Sequence, residues 1–267
     1  MPKFSIVTVT WNSAKTLEET ILSVRAQRGA EVEHIIIDGG STDGTLDIIG
    51  KYRDVLGPVI SEKDKGIYDA MNKGLALASG EFTGFLNSDD YFYSPDAIAN
   101  VAGRLDQTGA DCIWGDVVFI DEERRPRRYL TGSLFQPWMF RFGVALPHPS
   151  FYARTAHLRA VGGFAAQYKI AGDFDLMLKL LARPGLRTAA LRQIVAVMRI
   201  GGVSTADLNA TRTATHEIAD ALERNGKSGP AFFLQMRYGL KALEIIRGRL
   251  QRWRGISYPA PRGGIDG

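Results

Sequence analysis

An alternation between strand-like and helix-like segments in the first hundred residues constrains the fold of this chain more than any other feature of its sequence. Residues 4–10, 34–38 and 82–86 are apolar, β-branched runs typical of buried strands, and apolar residues recur at helical spacing across 17–24 and 67–75. This order predicts the α/β class, with a parallel, right-handed, doubly wound sheet. Sheets of this kind bind ligands at the carboxyl ends of their strands.

Polar clusters follow each of these predicted strands, at the point where the strand ends. They lie at 10–12, 38–41 and 87–90. Each cluster taken alone is explained by turn formation, because Asp, Asn, Gly and Ser are common turn residues. Three clusters at one edge of one parallel sheet would converge on a single crevice, so we expect a ligand site there.

The adjacent carboxylates Asp89 and Asp90 are the most specific of these features. Two neighbouring carboxylates repel each other unless a cation or a hydrogen-bond donor lies between them. A divalent ion such as Mn²⁺ or Mg²⁺ suits the pair, because substrate phosphates and water can complete its ligand shell. The alternative is a solvated acidic turn ahead of the helix that Ser94 and Pro95 predict.

Five other residues are candidates for chemistry. Trp11 could stack on a base or be a half-buried aromatic at the sheet edge. Asp38 could bind a base or ribose, or cap its own turn. Asp173 and Asp175 begin a predicted helix at about 173–182, where Asp is also a common cap. His148 is isolated between prolines, and a lone histidine is more often structural.

Composition and charge exclude several classes of protein. With 267 residues, 45% of them hydrophobic, the chain can bury a full core. Its one cysteine, Cys112, cannot form an intramolecular disulfide, so a cytoplasmic location is expected. We expect neither a signal peptide nor a membrane span. The net charge of +4 falls entirely within 207–267, and the balanced remainder argues against a nucleic-acid partner. Phosphate-loop, dinucleotide, serine-hydrolase and zinc-protease motifs do not occur.

Five segments in order carry a resemblance to a known family. They are SIVTVTWN at 5–12, IIIDGGSTDGT at 35–45, DKGIYDAMNKG at 64–74, SGEFTGFLNSDD at 79–90 and GDFDL at 172–176. Together they resemble the bacterial glycosyltransferases of family 2, which have the GT-A fold. The resemblance covers about residues 3–205, and it implies an inverting, metal-dependent transfer of sugar from a nucleotide-diphosphate sugar, with a UDP-sugar the foremost donor.

The resemblance implies a role for each matching residue. Asp90 would bind the metal and Asp173 would be the general base. The donor would be bound by Val9, Thr10, Trp11, Asp38, Asp64, Lys65, Gly66, Asn72 and Asp89. Three positions differ from the usual family pattern: Gly39 and Gly172 stand where an acidic residue is common, and Asn87 stands where the metal motif often opens with Asp.

We expect a catalytic domain at 1–206 and a basic helical extension at 207–267. Within the catalytic domain, 1–110 would bind the nucleotide sugar and 111–206 the acceptor. The second part contains strand-like runs at 112–120 and 194–200 and a loop-rich stretch at 136–149 suited to acceptor recognition. A glycan or a lipid-linked hydroxyl is the expected acceptor.

Two other functions remain open from the sequence. A glycoside hydrolase could use Asp90 and Asp173 as its carboxylate pair, without nucleotide or metal. A catalytically silent module could bind a nucleotide sugar without turning it over. Release of a nucleoside diphosphate separates a transferase from the hydrolase, and turnover separates it from the silent module.

The extension contains predicted helices at 207–225 and 230–254, the second of which suits an anionic membrane surface. The same stripe could instead pack on the catalytic domain or form a homodimer. Its basic residues are Lys227, Arg237, Lys241, Arg247, Arg249, Arg252 and Arg254, and its apolar residues are Phe232, Phe233, Met236, Leu240, Leu243, Ile246, Leu250 and Trp253.

Overall fold

The computed structural model describes residues 1–201, 208–227, 231–253 and Tyr258. The strands are β1 (Lys3–Thr10), β2 (Glu31–Asp38), β3 (Val59–Ser61), β4 (Phe82–Phe85), β5 (Tyr91–Phe92), β6 (Cys112–Ile120), β7 (Pro126–Leu130), β8 (Phe151–Arg154) and β9 (Thr188–Arg199). The helices are α1 (Leu17–Arg25), α2 (Thr45–Lys51), α3 (Ile67–Leu77), α4 (Ala97–Thr108), α5 (Thr155–Ala160), α6 (Gly172–Leu181), α7 (Leu208–Arg224) and α8 (Ala231–Trp253). The α/β prediction is confirmed, and each predicted strand and helix falls on an observed one.

The nine strands of the described residues form one sheet in the order β3-β2-β1-β4-β8-β6-β9-β5, with β7 paired to β6. Strands β3, β2, β1 and β4 pair in parallel. Strand β8 is antiparallel to both β4 and β6, and β9 is parallel to β6. The long strands on the two sides of β8 therefore point the same way, and their carboxyl ends meet at one edge of the sheet.

Helices cover both faces of the sheet, as the alternation of residues along β1 requires. Val7 and Val9 belong to an apolar cluster that α3 and α6 complete. Phe4 and Ile6 point to the other face, where α4 packs. Cys112 of β6 is fully buried, and this burial raises the pKa of its thiol.

Two features of the second half differ from the sequence prediction. Strand β9 begins at Thr188 instead of 194, because its first residues pair in parallel with the start of β6. The loop-rich stretch contains short 3-10 helices at Gly132–Leu134, Pro137–Phe142 and His148–Ser150. Both features depend on pairing and packing with distant segments, which local patterns do not report.

The C-terminal helices pack on the rest of the protein. Ile218 and Leu222 of α7 and Leu234 of α8 belong to the same apolar cluster as Phe174 of α6. Helix α8 also lies along β7, where Arg128 donates to Glu244 at 2.5 Å. None of the helices in the described residues has the length and apolar character that a bilayer span requires.

Candidate active site

A cavity of about 540 Å³ opens at the edge of the sheet where the carboxyl ends of the strands meet. Residues that follow β1 and β4, the last residues of β6 and β9, and the first turns of α3 and α6 form its wall. The wall includes eight residues singled out from the sequence, namely Val9, Thr10, Trp11, Asp64, Gly66, Asp89, Asp90 and Asp173. Two of the three predicted strand-end clusters, at 10–12 and 87–90, therefore reach one cavity, whereas no residue of the 38–41 cluster lines it.

The turn that follows β4 is anchored by α1 and by the end of β1. Thr20 of α1 donates to the backbone carbonyl of Asp90 at 2.7 Å, and the hydroxyls of Ser13 and Ser88 are 2.9 Å apart. The Asp90 carboxyl group is buried, and its Oδ2 atom has no hydrogen-bond partner. Burial raises the pKa of Asp90, and the neighbouring charge of Asp89 raises it further.

A partly buried network of charges lies beside this turn. Glu19 of α1 forms ion pairs with Arg199, the last residue of β9, and with Arg124. The positive charge of Arg199 lowers the pKa values of Asp89 and Asp90, although the burial of both groups has the larger, opposite effect. Arg199 also lines the cavity. It therefore places a fixed positive charge next to the paired carboxylates.

Asp173 lies on another part of the cavity wall, in the first turn of α6. Its Oδ1 atom accepts from the Phe174 backbone N–H at 2.8 Å and lies 3.5 Å from the Tyr68 hydroxyl. Burial raises the pKa of Asp173 to about 6. A carboxylate with that pKa is mostly ionised at neutral pH yet binds a proton more readily than an ordinary Asp.

The end of the cavity beside Trp11 and Asp64 depends on a close approach at Gly39. A Cβ atom at this position would lie 2.5 Å from Oδ2 of Asp64 and 3.5 Å from the Trp11 ring. Asp64 in turn accepts from the Gly66 backbone N–H at 2.9 Å. The glycine at position 39, where the family often has an acidic residue, therefore lets the Asp64 turn close against the strand end.

Three predicted donor-binding residues do not line the cavity, and each has a different local role. Asp38 is fully buried and accepts from the backbone N–H groups of Gly40 and Ser41, both at 3.0 Å. Lys65 is exposed, and its backbone N–H donates to a carboxylate on α3. The side-chain NH₂ of Asn72 in α3 donates to the Phe164 backbone carbonyl at 2.9 Å, and its Oδ1 atom accepts from the Phe164 backbone N–H at 2.8 Å.

Sequence reasoning missed two polar residues at or behind the wall, Arg199 and Glu217, and considered His148 only as an isolated histidine that is more often structural. Arg199 could have been found, because it ends a predicted strand at the same sheet edge. His148 stacks on Phe85 with ring centroids 5.5 Å apart, and burial lowers its pKa to about 4, so it faces the cavity as a neutral imidazole. Glu217 of α7 contacts the segment ahead of α6. A single acidic residue on a polar helix face gives no sequence signal for such a role.

The residues of the β4 turn fit a hard divalent cation. Asp89 and Asp90 supply carboxylates, and the buried Oδ1 atom of Asn87 lacks a hydrogen-bond partner, as does Oδ2 of Asp90. Oxygen ligands of this type suit Mg²⁺ and Mn²⁺. Among the residues that the structure describes, no group of three or more His, Cys, Asp or Glu forms a metal cluster. Substrate phosphates and water would therefore have to complete the ligand shell.

Comparison with known proteins identifies the family. Residues 5–166 match the family described as Glycosyl transferase family 2. A PGL/p-HBAD biosynthesis glycosyltransferase of Mycobacterium bovis is 31% identical over 208 residues, covering 76% of this chain and 79% of that protein. A putative teichuronic acid biosynthesis glycosyltransferase of Bacillus subtilis, TuaG, is 38% identical over 92 residues, covering 33% of this chain and 36% of that protein.

Solved structures show the same fold. The mannosyltransferase PcManGT of Pyrobaculum calidifontis, in complex with GDP-Man and Mn²⁺, superimposes with a TM-score of 0.64 at 18% identity, covering 97% of this chain and 77% of that one. S. aureus TarS 1-349 in complex with UDP-GlcNAc gives 0.62 at 23% identity, covering 82% and 66%. The fold is that of the GT-A glycosyltransferases. The chain belongs to glycosyl transferase family 2, and it is a nucleotide-sugar glycosyltransferase.

Proposed function

We propose that the protein transfers a sugar, with inversion, from a nucleotide-diphosphate sugar to a hydroxyl of a glycan or lipid-linked acceptor in bacterial surface polysaccharide synthesis. The observation that carries this proposal is the presence of the Asp89–Asp90 pair and of Asp173 on the wall of one cavity. A UDP-sugar is the foremost donor. The names of the mycobacterial and Bacillus relatives support the surface-glycan setting.

The donor would occupy the end of the cavity formed by the end of β1 and the turn at Asp64 and Gly66. Trp11 is 67% exposed at the rim and offers a ring on which a base can stack. Val9, Thr10 and the turn at Asp64 and Gly66 line the wall beside it. Asp38, Lys65 and Asn72 would act on the donor through the turns and helix that they hold in place.

The diphosphate would lie at the β4 turn. Asp90, with Asp89 and the Asn87 amide oxygen, would hold Mn²⁺ or Mg²⁺. Such a bound ion supplies positive charge that stabilises the leaving diphosphate. Arg199 supplies a second positive charge that belongs to the protein itself, and electrostatic stabilisation of developing charge is a large contribution to catalysis.

Asp173 would act as the general base. The acceptor hydroxyl oxygen forms a bond to the anomeric carbon while the bond from that carbon to the diphosphate oxygen breaks, and the hydroxyl proton passes to a carboxylate oxygen of Asp173. The leaving group departs as a nucleoside diphosphate. Attack from the face opposite the leaving group inverts the anomeric centre, and one base on that face is sufficient.

Helix α8 supports a peripheral contact with an anionic membrane surface at the cytoplasmic face. Leu243, Ile246, Leu250 and Trp253 are each more than half exposed and share one helix face. The opposite face packs on β7 through Glu244. Of the predicted stripe, Arg254 and the side chains of Phe232, Phe233, Met236, Arg237, Leu240 and Lys241 lie outside the part that the structure describes.

Flotation with anionic and with neutral liposomes tests this contact on the full chain. The triple variant Leu243→Ser/Leu250→Ser/Trp253→Ser removes the apolar face, and Leu46→Ser changes an exposed leucine of α2 as the matched control. We expect the wild type and the control to float with anionic liposomes at low salt. The triple variant should remain in the unbound fraction at the bottom of the gradient. Equal flotation of all three proteins, or a concentration-dependent dimer that only the triple variant loses, contradicts a membrane role.

A screen of nucleotide sugars tests the enzymatic proposal directly. Thermal stability is measured with each donor, with and without Mn²⁺ or Mg²⁺, because a ligand that binds the native state raises its stability. Stabilising donors are then assayed with candidate acceptors for nucleoside diphosphate release. Release that depends on metal and acceptor supports the transferase. Sugar release from glycans without nucleotide would indicate a hydrolase, and binding without turnover across the acceptor screen would indicate a silent module.

A further inference from the structure

Glu217 of α7 binds three consecutive backbone N–H groups in the segment that leads into α6. The N–H of Lys169 donates to its Oε1 atom at 2.9 Å, and those of Ile170 and Ala171 donate to Oε2 at 2.8 and 2.9 Å. Hydrogen bonds to an ionised acceptor are roughly twice as strong as neutral ones. One side chain therefore fixes the path of three successive residues.

This segment forms part of the cavity wall and ends two residues before Asp173. Lys169 and Ile170 line the cavity, and Ala171 is the residue immediately before the first residue of α6. On its other side, the Tyr68 hydroxyl donates to the Ile170 carbonyl at 2.5 Å. Glu217 thus holds the N–H groups of the segment, and Tyr68 holds a carbonyl of the same segment.

Two further contacts join α7 to the same region. The Tyr168 hydroxyl donates to Asp220 at 2.6 Å, and the Asn225 side-chain amide donates to Asp175 at 3.1 Å. Asp175 lies in the first turn of α6 and Asn225 directly follows α7, so α7 and the residue after it contact the chain on both sides of Asp173. The apolar residues Ile218 and Leu222 of α7 bury the helix against α6.

We propose that Glu217 is a positioning residue for the transfer reaction, and that it sets the place of Asp173 by holding residues 169–171. The proposal rests on the proposed role of Asp173 as base. It makes α7, which lies outside the residues that match the family, a part of the catalytic centre. A residue that acts in this way changes turnover, whereas donor affinity depends on the other end of the cavity.

Electrostatics support the same assignment. Burial is the main cause of the raised pKa of Asp173, and the negative charge of Glu217 raises it further. The Phe174 N–H and the Tyr68 hydroxyl act in the opposite direction. Removal of the Glu217 charge should therefore shift the acidic limb of the kcat profile to lower pH, which the loss of a purely structural contact would not do.

The test compares Glu217→Gln and Glu217→Asp with Glu223→Gln, which changes an exposed carboxylate on the same helix. Small displacements of a catalytic group can cost about 10²-fold in rate. We expect kcat to fall by about 10-fold to 100-fold in Glu217→Gln with little change in donor KM. Glu217→Asp keeps the negative charge, so the acidic limb of its kcat profile should stay at the wild-type pH. Glu223→Gln should match the wild type in both kcat and pH profile.

Hydrogen exchange of the backbone amides of 169–171 supplies a readout that does not depend on activity. Faster exchange in Glu217→Gln but not in Glu223→Gln, together with the lower kcat, supports the proposal. Unchanged exchange overturns it whether or not the enzyme is active, and an unchanged kcat in a variant with faster exchange also overturns it. If the wild type releases no nucleoside diphosphate with any donor, the proposed function fails instead. Hydrogen exchange of the amides of 169–171 then tests by itself whether Glu217 holds this segment.

Discussion

Two parts of the cavity wall are built in different ways. The donor wall is the part proposed to bind donor and metal, with Val9, Thr10, Trp11, Asp64, Gly66, Asp89 and Asp90. The base wall is the part around Asp173, the proposed base. Behind the donor wall, the turns contain contacts between residues two or three positions apart, from Gly40 and Ser41 to Asp38 and from Gly66 to Asp64, together with a longer contact from Ser61 to Asp38. At the base wall, the Tyr68 hydroxyl near Asp173 comes from a residue 105 positions away. Short motifs therefore account for much of the turn structure behind the donor wall, whereas the contact between Tyr68 and Asp173 forms only when distant segments fold together.

The carboxylates of the two walls also differ in what surrounds them. Asp90 has a buried oxygen without a partner beside a second carboxylate, and its surroundings favour a cation. Asp173 accepts a backbone hydrogen bond and has no carboxylate beside it in sequence, and its pKa of about 6 leaves it ionised at neutral pH yet able to take a proton. The same residue type is thus suited to metal binding on one wall and to proton transfer on the other.

Substitution of Asp173 by Asn should give the largest effect and separates the two walls. The amide keeps the shape but cannot accept the proton, so we expect turnover to fall on the order of 10²- to 10⁴-fold. Calorimetry should show unchanged donor affinity. Loss of donor affinity equal to the loss of turnover would place Asp173 with the metal instead.

The stability of Asp173→Asn provides a control with a defined sign. The folded pKa of about 6 lies above the ordinary value of 3.8, so the native state binds this proton more tightly than the unfolded chain. The wild type therefore loses stability as pH rises through this range, and the Asn variant does not. We expect Asp173→Asn to have a Tm at pH 7 equal to or above that of the wild type.

Substitution of Asp90 by Asn should act on the other wall. Outer partners of metal ligands typically contribute about 10- to 100-fold in affinity, so a direct ligand should reach roughly the upper end of that range. Calorimetry with UDP and Mn²⁺ should show this loss in Asp90→Asn and not in Asp47→Asn, an exposed carboxylate of α2. Diphosphate binding that keeps its metal dependence would remove Asp90 from the metal site.

The pH dependence of kcat should report on the base wall alone. The base works in its ionised form, so kcat should fall about tenfold for each pH unit below the Asp173 pKa of about 6. The affinity for donor and metal, measured over the same range, should follow a different curve. Coincident curves would mean that one group controls both walls.

Substitution of Asp38 by Asn tests the local construction of the donor wall and should have the smallest effect. The amide leaves one of the buried donors of the turn without an acceptor, which costs about 1–3 kcal/mol. Denaturant unfolding should show this loss against Asp106→Asn, an exposed carboxylate of α4. A stability equal to that of the control would mean that the turn at 38–41 does not depend on the Asp38 carboxylate.

The first half of the fold was predictable because its signals are local. The strand runs, helical stripes and terminal turns of β1 to α3 each lie within about ten residues. The antiparallel insertion of β8 between β4 and β6 was not predictable, because it pairs Phe82 with Arg154 and Cys112 with Ala153. No local pattern reports a partner so far away in sequence.

The residues of the site also fall into those that local motifs predict and those that only long-range contacts define. Eight of the residues chosen from sequence motifs line the cavity. Gly172 shows why the base wall was harder to predict: a Cβ atom there would lie 2.6 Å from the Tyr68 ring, so the glycine is required by a residue of α3. The contacts of Glu217 with 169–171 are likewise invisible until α7 is folded against α6.

The burial of Cys112 has a practical consequence for spectroscopy. Its thiol lies within β6 and has a raised pKa, so the reactive thiolate is scarce and covered. The native chain should therefore resist maleimide labelling while it is folded. A single cysteine introduced at an exposed position such as Tyr93 would then carry a fluorophore or spin label alone, without removal of the native one.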